Sequence, residues 1–187
     1  MHPAPLSLIK QMREQHARRS SSYASAPMWR GTALATNFDG QEEAFSIGLD
    51  GYVWSYAIYA DSGRTGRLIS TGLSANTFAT GKLPNGHTLV ISADGTTVQY
   101  VVESDSPGQR WALPCPVTFQ ADHTRVVGID KLFTQTLGDH LFVGILARHS
   151  GVDGQDLHQF WEAIWTGDGL IFTHSPLKFQ RQKTSLS

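Results

Sequence analysis

Residues 87–104 read HTLVISADGTTVQYVVES. Two short runs rich in Val, Ile and Thr stand on either side of Asp94-Gly95. Asp-Gly between such runs is the strongest local signal for a β-hairpin, because a tight primed turn needs positive φ, which Asp and Gly tolerate. The same punctuation recurs at Asp39-Gly40, Asp50-Gly51 and Asn85-Gly86. Worked outward from these turns, the pattern predicts strands near 31–38, 42–49, 52–60 and 66–73, then near 77–83, 87–93, 96–103 and 109–113. That is about eight hairpin-connected strands in two successive four-stranded meanders.

The two meanders echo each other. FSIGLDGYVWSY (45–56) aligns with LVISADGTTVQY (89–100), with both Asp-Gly pairs and the final Tyr56 and Tyr100 in register, 44 residues apart. A period of this length with four short strands per unit resembles the blades of a β-propeller. The phrase from Gly48 to Trp54, G-x-D-G-x-V-W, resembles one used by lectin-like propellers of the tectonin type. The resemblance covers two stretches of about a dozen residues, implies a bladed fold and transfers no binding residues. Partial echoes occur at VGIDKLFT (127–134) and AIWTGDGLIFTH (163–174). A closed propeller needs at least four blades, so propeller-like blades stand as the alternative fold.

The two ends of the chain point to a mixed class. Leu6, Ile9 and Met12 at three-residue spacing predict a short amphipathic helix over 5–19, followed by the Ser-rich joint RRSSSYASAP. In DLHQFWEAIW, Leu157, Phe160, Trp161, Ile164 and Trp165 fall on one helical face, with Asp156 as N-cap and Gly167 after the last turn. DKLFTQTLG likewise predicts a short helix between Asp130 and Gly138. HLFVGILAR (140–148) reads as a strand buried on both faces, and LIFTH as a last strand. The expected fold is therefore α+β: an antiparallel meander with an N-terminal helix and two short C-terminal helices. Residues 1–28 form a basic helix and linker, 29–174 a single mainly-β domain, and 175–187 a mobile basic tail.

Bulk properties bound the class. With 187 residues, 40% hydrophobic and 17% charged, the chain is long enough and apolar enough to bury a core. No run approaches the roughly 20 apolar residues of a membrane span, the start lacks a signal-like apolar run, and the single Cys115 has no internal partner. A soluble cytoplasmic protein is expected. The net charge of −1 is uneven: residues 1–30 sum to +4 and 175–187 to +3, which leaves −8 on the body. Basic ends of this kind suit an acidic partner or nucleic acid.

Recognisable catalytic motifs are absent: no phosphate-binding loop, dinucleotide fingerprint, HExxH, GxSxG or CxxC. Dispersed candidates remain. His140, His149 and His158, with His123 and the nearby Asp139, Asp153 and Asp156, could form an acid–base or metal site. In DSGRTGRL (61–68), Arg64 and Arg67 beside Gly63 and Gly66 are the candidate anion-binding residues. Tyr52, Trp54 and Tyr56 alternate on one strand and are candidate interaction residues, as are Arg13, Arg18 and Arg19 in the basic arm. Cys115, between two prolines, reads as a small hydrophobe in a rigid turn.

These observations lead to a non-catalytic intracellular binding or adaptor protein acting through protein–protein contacts, with no cofactor and no metal. An enzyme with a dispersed His/Asp site and a nucleic-acid-associated protein using its basic termini are the alternatives.

Overall fold

The computed structural model describes residues 10, 11, 14, 30–57, 66–106, 108–119, 126–150 and 156–174. Three antiparallel sheets follow one another along the chain. Sheet 1 holds β1 (Arg30–Thr36), β2 (Glu42–Ile47), β3 (Tyr52–Ala57) and β4 (Arg67–Ser74), neighbours in chain order. Sheet 2 repeats the arrangement with β5 (Thr77–Lys82), β6 (Thr88–Asp94), β7 (Thr97–Val102) and the short β8 (Cys115–Pro116). β9 (Thr118–Phe119) then runs to the edge of sheet 3, where β10 (Val126–Leu137), β11 (His140–Ser150), β12 (Asp156–Ile164) and β13 (Ile171–His174) form a third meander. β9 pairs parallel to β13, Phe119 opposite Phe172.

The expected strands of the first two meanders are present with end shifts of a few residues, except the last. Residues 109–113 contribute only a bridge from Trp111 to Glu103, and the strand itself forms at Cys115–Pro116. The turns are built differently from expectation. At Asp39-Gly40, Asp50-Gly51 and Asn85-Gly86 the Gly N–H donates to a carbonyl three residues back, on Asn37, Gly48 and Leu83. These are type I turns closed by a left-handed Gly, with φ of 77°, 79° and 87°. The two-residue primed loop is Gly95-Thr96, with Asp94 opposite Thr97, and Gly138-Asp139 repeats it between Leu137 and His140.

The α+β expectation is overturned. Strands make up every named element; of the described residues only Lys10, Gln11 and Glu14 are helical, and the two segments expected as C-terminal helices are β10 and β12. Asp130 and Asp156 are strand residues rather than caps, and Gly138 and Gly167 belong to inter-strand turns with positive φ. Apolar residues at i, i+3, i+4 and i+7 also fill both faces of a strand, so a helical period and a doubly covered strand look alike. Long-range pairing breaks the tie: β11 matches β12 from Phe142–Ile164 to Ser150–Asp156 and β10 from Val126–His149 to Leu137–His140. The expected N-terminal helix over 5–19 falls on residues outside those described, Lys10, Gln11 and Glu14 excepted.

Sheet 2 lies between the other two. Its residues Leu89 and Ile91 of β6 and Val98 and Tyr100 of β7 pack with Leu141, Val143, Ile145, Trp161 and Phe172 of sheet 3. Its even β6 position Val90, with Val101 and Trp111, packs with Phe45, Ile47, Val53 and Leu73 of sheet 1. The first strand of each sheet comes to a common line. Thr134 and Thr136 of β10 donate their hydroxyls to the β5 carbonyls of Thr80 and Lys82, and Thr88 reaches the Thr36 carbonyl at 3.4 Å. Gly81 permits that approach, since a Cβ there would lie 2.6 Å from Leu141 Cδ1. Threonine hydroxyls thus satisfy the open edge of β5, which would otherwise present unpaired carbonyls.

Candidate interaction surface

The outer face of sheet 3 is set by register. Phe133 lies opposite Gly144, which lies opposite Glu162 and then Thr173; Gln135, Phe142 and Ile164 form the adjacent row. Alternate residues therefore place Phe133, Leu137, Phe142, Leu146, Phe160, Ile164 and Ile171 on the side away from sheet 2. Phe133, Ile164 and Ile171 are 40%, 45% and 53% exposed, while Phe142, Leu146 and Phe160 are half-buried. Phe160 and Phe133 rings are 6.3 Å apart, with the Phe160 ring folded over Gly144. Lys131 Nζ stands 5.2 Å from the Phe133 centroid.

Charge gathers at one end of this face. Asp130 accepts from His158 Nε2 at 2.9 Å and pairs with Arg148 Nη2 at 3.3 Å. A bulge between Ile129 and Lys131 brings Asp130 to this side of the sheet. The pairs are partly exposed and each contributes little stability. They orient the rim of an apolar patch that runs on to Phe142, Ile164 and Ile171.

The outer face of sheet 1 is covered at its centre, while Leu34 and Tyr52 on the same face remain 42% and 43% exposed. Ala44, Ser46, Tyr56 and Leu68 are buried there, and the Tyr56 hydroxyl donates to Gln11 Oε1 at 3.1 Å. Burial pushes the Tyr56 hydroxyl upward in pKa, with Glu14 adding to the effect. Of the interaction residues read from sequence, Tyr56 is thus an internal packing residue. Trp54 is half-buried with Nε1 donating to both Asp50 carboxylate oxygens at 3.1 and 3.0 Å, and Tyr52 is 43% exposed beyond a bulge. Arg67 is exposed at the start of β4. Arg64, Arg13, Arg18 and Arg19 lie outside the described residues, so the proposed anion loop and basic arm are not placed.

The histidines are brought to different environments. His140 is exposed beside the Gly138-Asp139 turn, His149 is buried and stacked on Trp161 with centroids 6.4 Å apart, and His158 is on the outer face. His140 and His149 belong to one strand nine residues apart, about 30 Å at strand rise. Asp153 and His123 lie outside the described residues. Among the described residues no group of three or more His, Cys, Asp or Glu is placed to hold a metal ion.

Two further features were not legible in the sequence. Arg110 bridges Glu43 and Glu103 between sheets 1 and 2, with all three side chains nearly buried. Glu103 also accepts from Phe38 N–H at 3.1 Å and Thr88 N–H at 2.9 Å, and Trp111 Nε1 donates to Ser55 Oγ at 3.3 Å. Burial pushes the Glu43 carboxyl above the usual range against the pull of Arg110. Burial acts the same way on Glu103, but the Thr88 N–H, Arg110 and the Phe38 N–H outweigh it and hold that carboxyl below the usual range. This cluster is enclosed, and its role is to join two sheets. The second feature is a groove of about 340 Å³ where the first strands meet, lined by Leu34, Ala35, Thr36, Thr80, Gly81, Lys82, Thr134 and Thr136. Its Thr134 and Thr136 hydroxyls are already committed to carbonyls across the groove.

No family model matches the chain, and no curated protein matches it. No helix among the described residues is long and apolar enough to cross a membrane.

Proposed function

We propose that this is a non-catalytic binding protein, an intracellular adaptor that engages a protein partner through the outer face of sheet 3. One observation carries the reading: β11 is apolar on both sides, as β6 is in the doubly covered sheet 2, yet Phe133, Ile164 and Ile171 beside it remain open to solvent. Apolar patches of this kind, rimmed by charge, mark interaction sites on soluble proteins. Aromatic residues with Arg at the margin are the composition favoured in interface centres. The exposed, unbridged Cys115 supports a reducing compartment. The dispersion of His140, His149 and His158 over a turn, the core and an outer face weighs against a shared catalytic pocket.

The test is affinity capture from host lysate with the full-length chain beside its Ile164→Lys and Phe133→Glu variants, followed by mass spectrometry. Both substitutions are at exposed positions, so the fold, checked by circular dichroism, is expected to survive. A protein retained by wild type and lost in both variants supports the reading. Identical retained sets from all three forms would remove it.

A further inference from the structure

We infer that the outer face of sheet 1 is the seat of the chain's own N-terminal segment, docked as a helix through the side that carries Leu8 and Met12. This is independent of the binding role proposed for sheet 3. Register defines the seat. Leu34, Ala44, Tyr56 and Leu68 form one row across β1 to β4, on the side opposite Phe45 and Val53, which pack toward sheet 2. Leu34 at the edge is 42% exposed, whereas Ala44, Tyr56 and Leu68 are 0%, 2% and 4% exposed. These three face away from sheet 2, so their cover comes from elsewhere in the chain. Gln11 is on this side: its Oε1 accepts from the Tyr56 hydroxyl at 3.1 Å. Gly66 gives the tyrosine ring room, since a Cβ there would lie 2.0 Å from the Tyr56 hydroxyl oxygen. The small Ala44 leaves a trough between Leu34 and Tyr56.

Three residues orient the segment. Lys10, Gln11 and Glu14 are helical; Lys10 and Glu14, four apart and so on one stripe, are exposed, and Gln11 beside them is half-buried. At about 100° per residue, the side opposite that stripe carries Leu8 and Met12, themselves four apart. An apolar pair suits an apolar row. Gln11, on the flank, supplies the acceptor that a buried tyrosine hydroxyl needs. Glu14 is near enough to Tyr56 to add to the upward shift that burial causes in its hydroxyl. The tether favours the chain's own segment over a neighbour's. Glu14 and the start of β1 at Arg30 are sixteen residues apart (30 − 14 = 16), a reach of up to ~50 Å against the ~19 Å width of four strands. A short tether of this kind holds the segment at a millimolar effective concentration over the sheet.

The measurement is paramagnetic broadening in NMR spectra of the full chain, with a nitroxide attached through Lys10→Cys and the exposed thiol of Cys115 removed by Cys115→Ser. The amide signals of Ala44, Tyr56 and Leu68 are expected to be lost, and those of Ile145 and Phe172 in sheet 3 to be retained. Adding Leu8→Gln and Met12→Gln, which keep helix propensity and remove the apolar side, is expected to restore the lost signals. Glu14→Gln, on the exposed stripe, is expected to leave them lost. In an equal mixture of nitroxide-bearing chain without isotope and isotope-labelled chain without nitroxide, all signals are expected to survive. Retention of the sheet 1 signals in the singly labelled chain overturns the seat. Their loss in the doubly substituted Gln variant overturns the docking side, and their loss in the mixture shows that the segment comes from another copy and overturns the assignment to the same chain.

Discussion

Replacing Arg110 by Ala strips the counterion from two buried carboxylates at once. Glu43 is fully buried and Glu103 4% exposed, and both reach the same guanidinium, whose side chain is only 13% exposed. Removing one member of a buried ion pair costs about 3–5 kcal/mol because the remaining charge is left uncompensated. The surviving donors to Glu103 from Phe38 and Thr88 soften the loss on that side, so the expected figure is about 3–4 kcal/mol, against a total stability of roughly 5–15 kcal/mol for a domain. Urea unfolding followed by tryptophan fluorescence measures it, with Glu43→Gln as the companion variant. In that variant Arg110 keeps Glu103 as its counterion and the amide leaves no uncompensated charge, so it is expected to cost less than Arg110→Ala.

The pH dependence has a definite sign. Glu43, raised in the fold, is a burden while ionised, and its penalty is relieved as pH falls below its folded value. Glu103, lowered in the fold, contributes stability above its unfolded value that is lost as pH falls through its folded one. Without Arg110 both carboxyls shift upward, so the deficit of Arg110→Ala is expected to be largest at neutral pH and to shrink toward the carboxylate range. A loss under about 1 kcal/mol, a deficit independent of pH, or a Glu43→Gln variant as damaged as Arg110→Ala would refute this account of the cluster.

Two other outcomes follow from the packing. Gly81→Ala is expected to destabilise by about 1–3 kcal/mol in thermal unfolding, because the new Cβ would meet Leu141 at 2.6 Å and Thr134 at 3.2 Å in the seam between sheets 2 and 3. Gly144→Ala, whose Cβ would meet the mobile end of the half-buried Phe160 ring at 2.6 Å, is expected to cost less; the reverse order would show that the seam is looser than described. Thr134→Val removes the hydroxyl that serves the Thr80 carbonyl and is expected to cost about 1 kcal/mol, whereas Thr97→Val, at an exposed position, is expected to be neutral by the same assay.

The face proposed for binding was hidden in the sequence for a specific reason. The spacing of Phe133, Phe160 and Ile164 predicts helices, in which they share a buried stripe with Leu132, Trp161 and Trp165. In the strands the same residues divide: Leu132 and Trp161 turn inward to Ile91 and Phe172, while Phe133, Phe160 and Ile164 turn outward. The signal that could have exposed this is HLFVGILAR, whose apolar residues on both parities demand neighbouring strands on each side. The Arg110 cluster had no such signal, since Glu43 and Arg110 are 67 residues apart and meet only when two sheets pack.

What the sequence determined by itself was the punctuation. Two or three residues encode each reversal through the positive φ that Gly40, Gly51, Gly86 and Gly95 adopt, so the hairpins of sheets 1 and 2 are local facts. Tertiary structure decided whether 126–137 and 156–164 became strands, which tyrosine stayed at the surface and to which face Phe133, Ile164 and Ile171 turned. Those outcomes depend on ladders and contacts between distant residues, and a stretch apolar on every side carries no period that could choose among them.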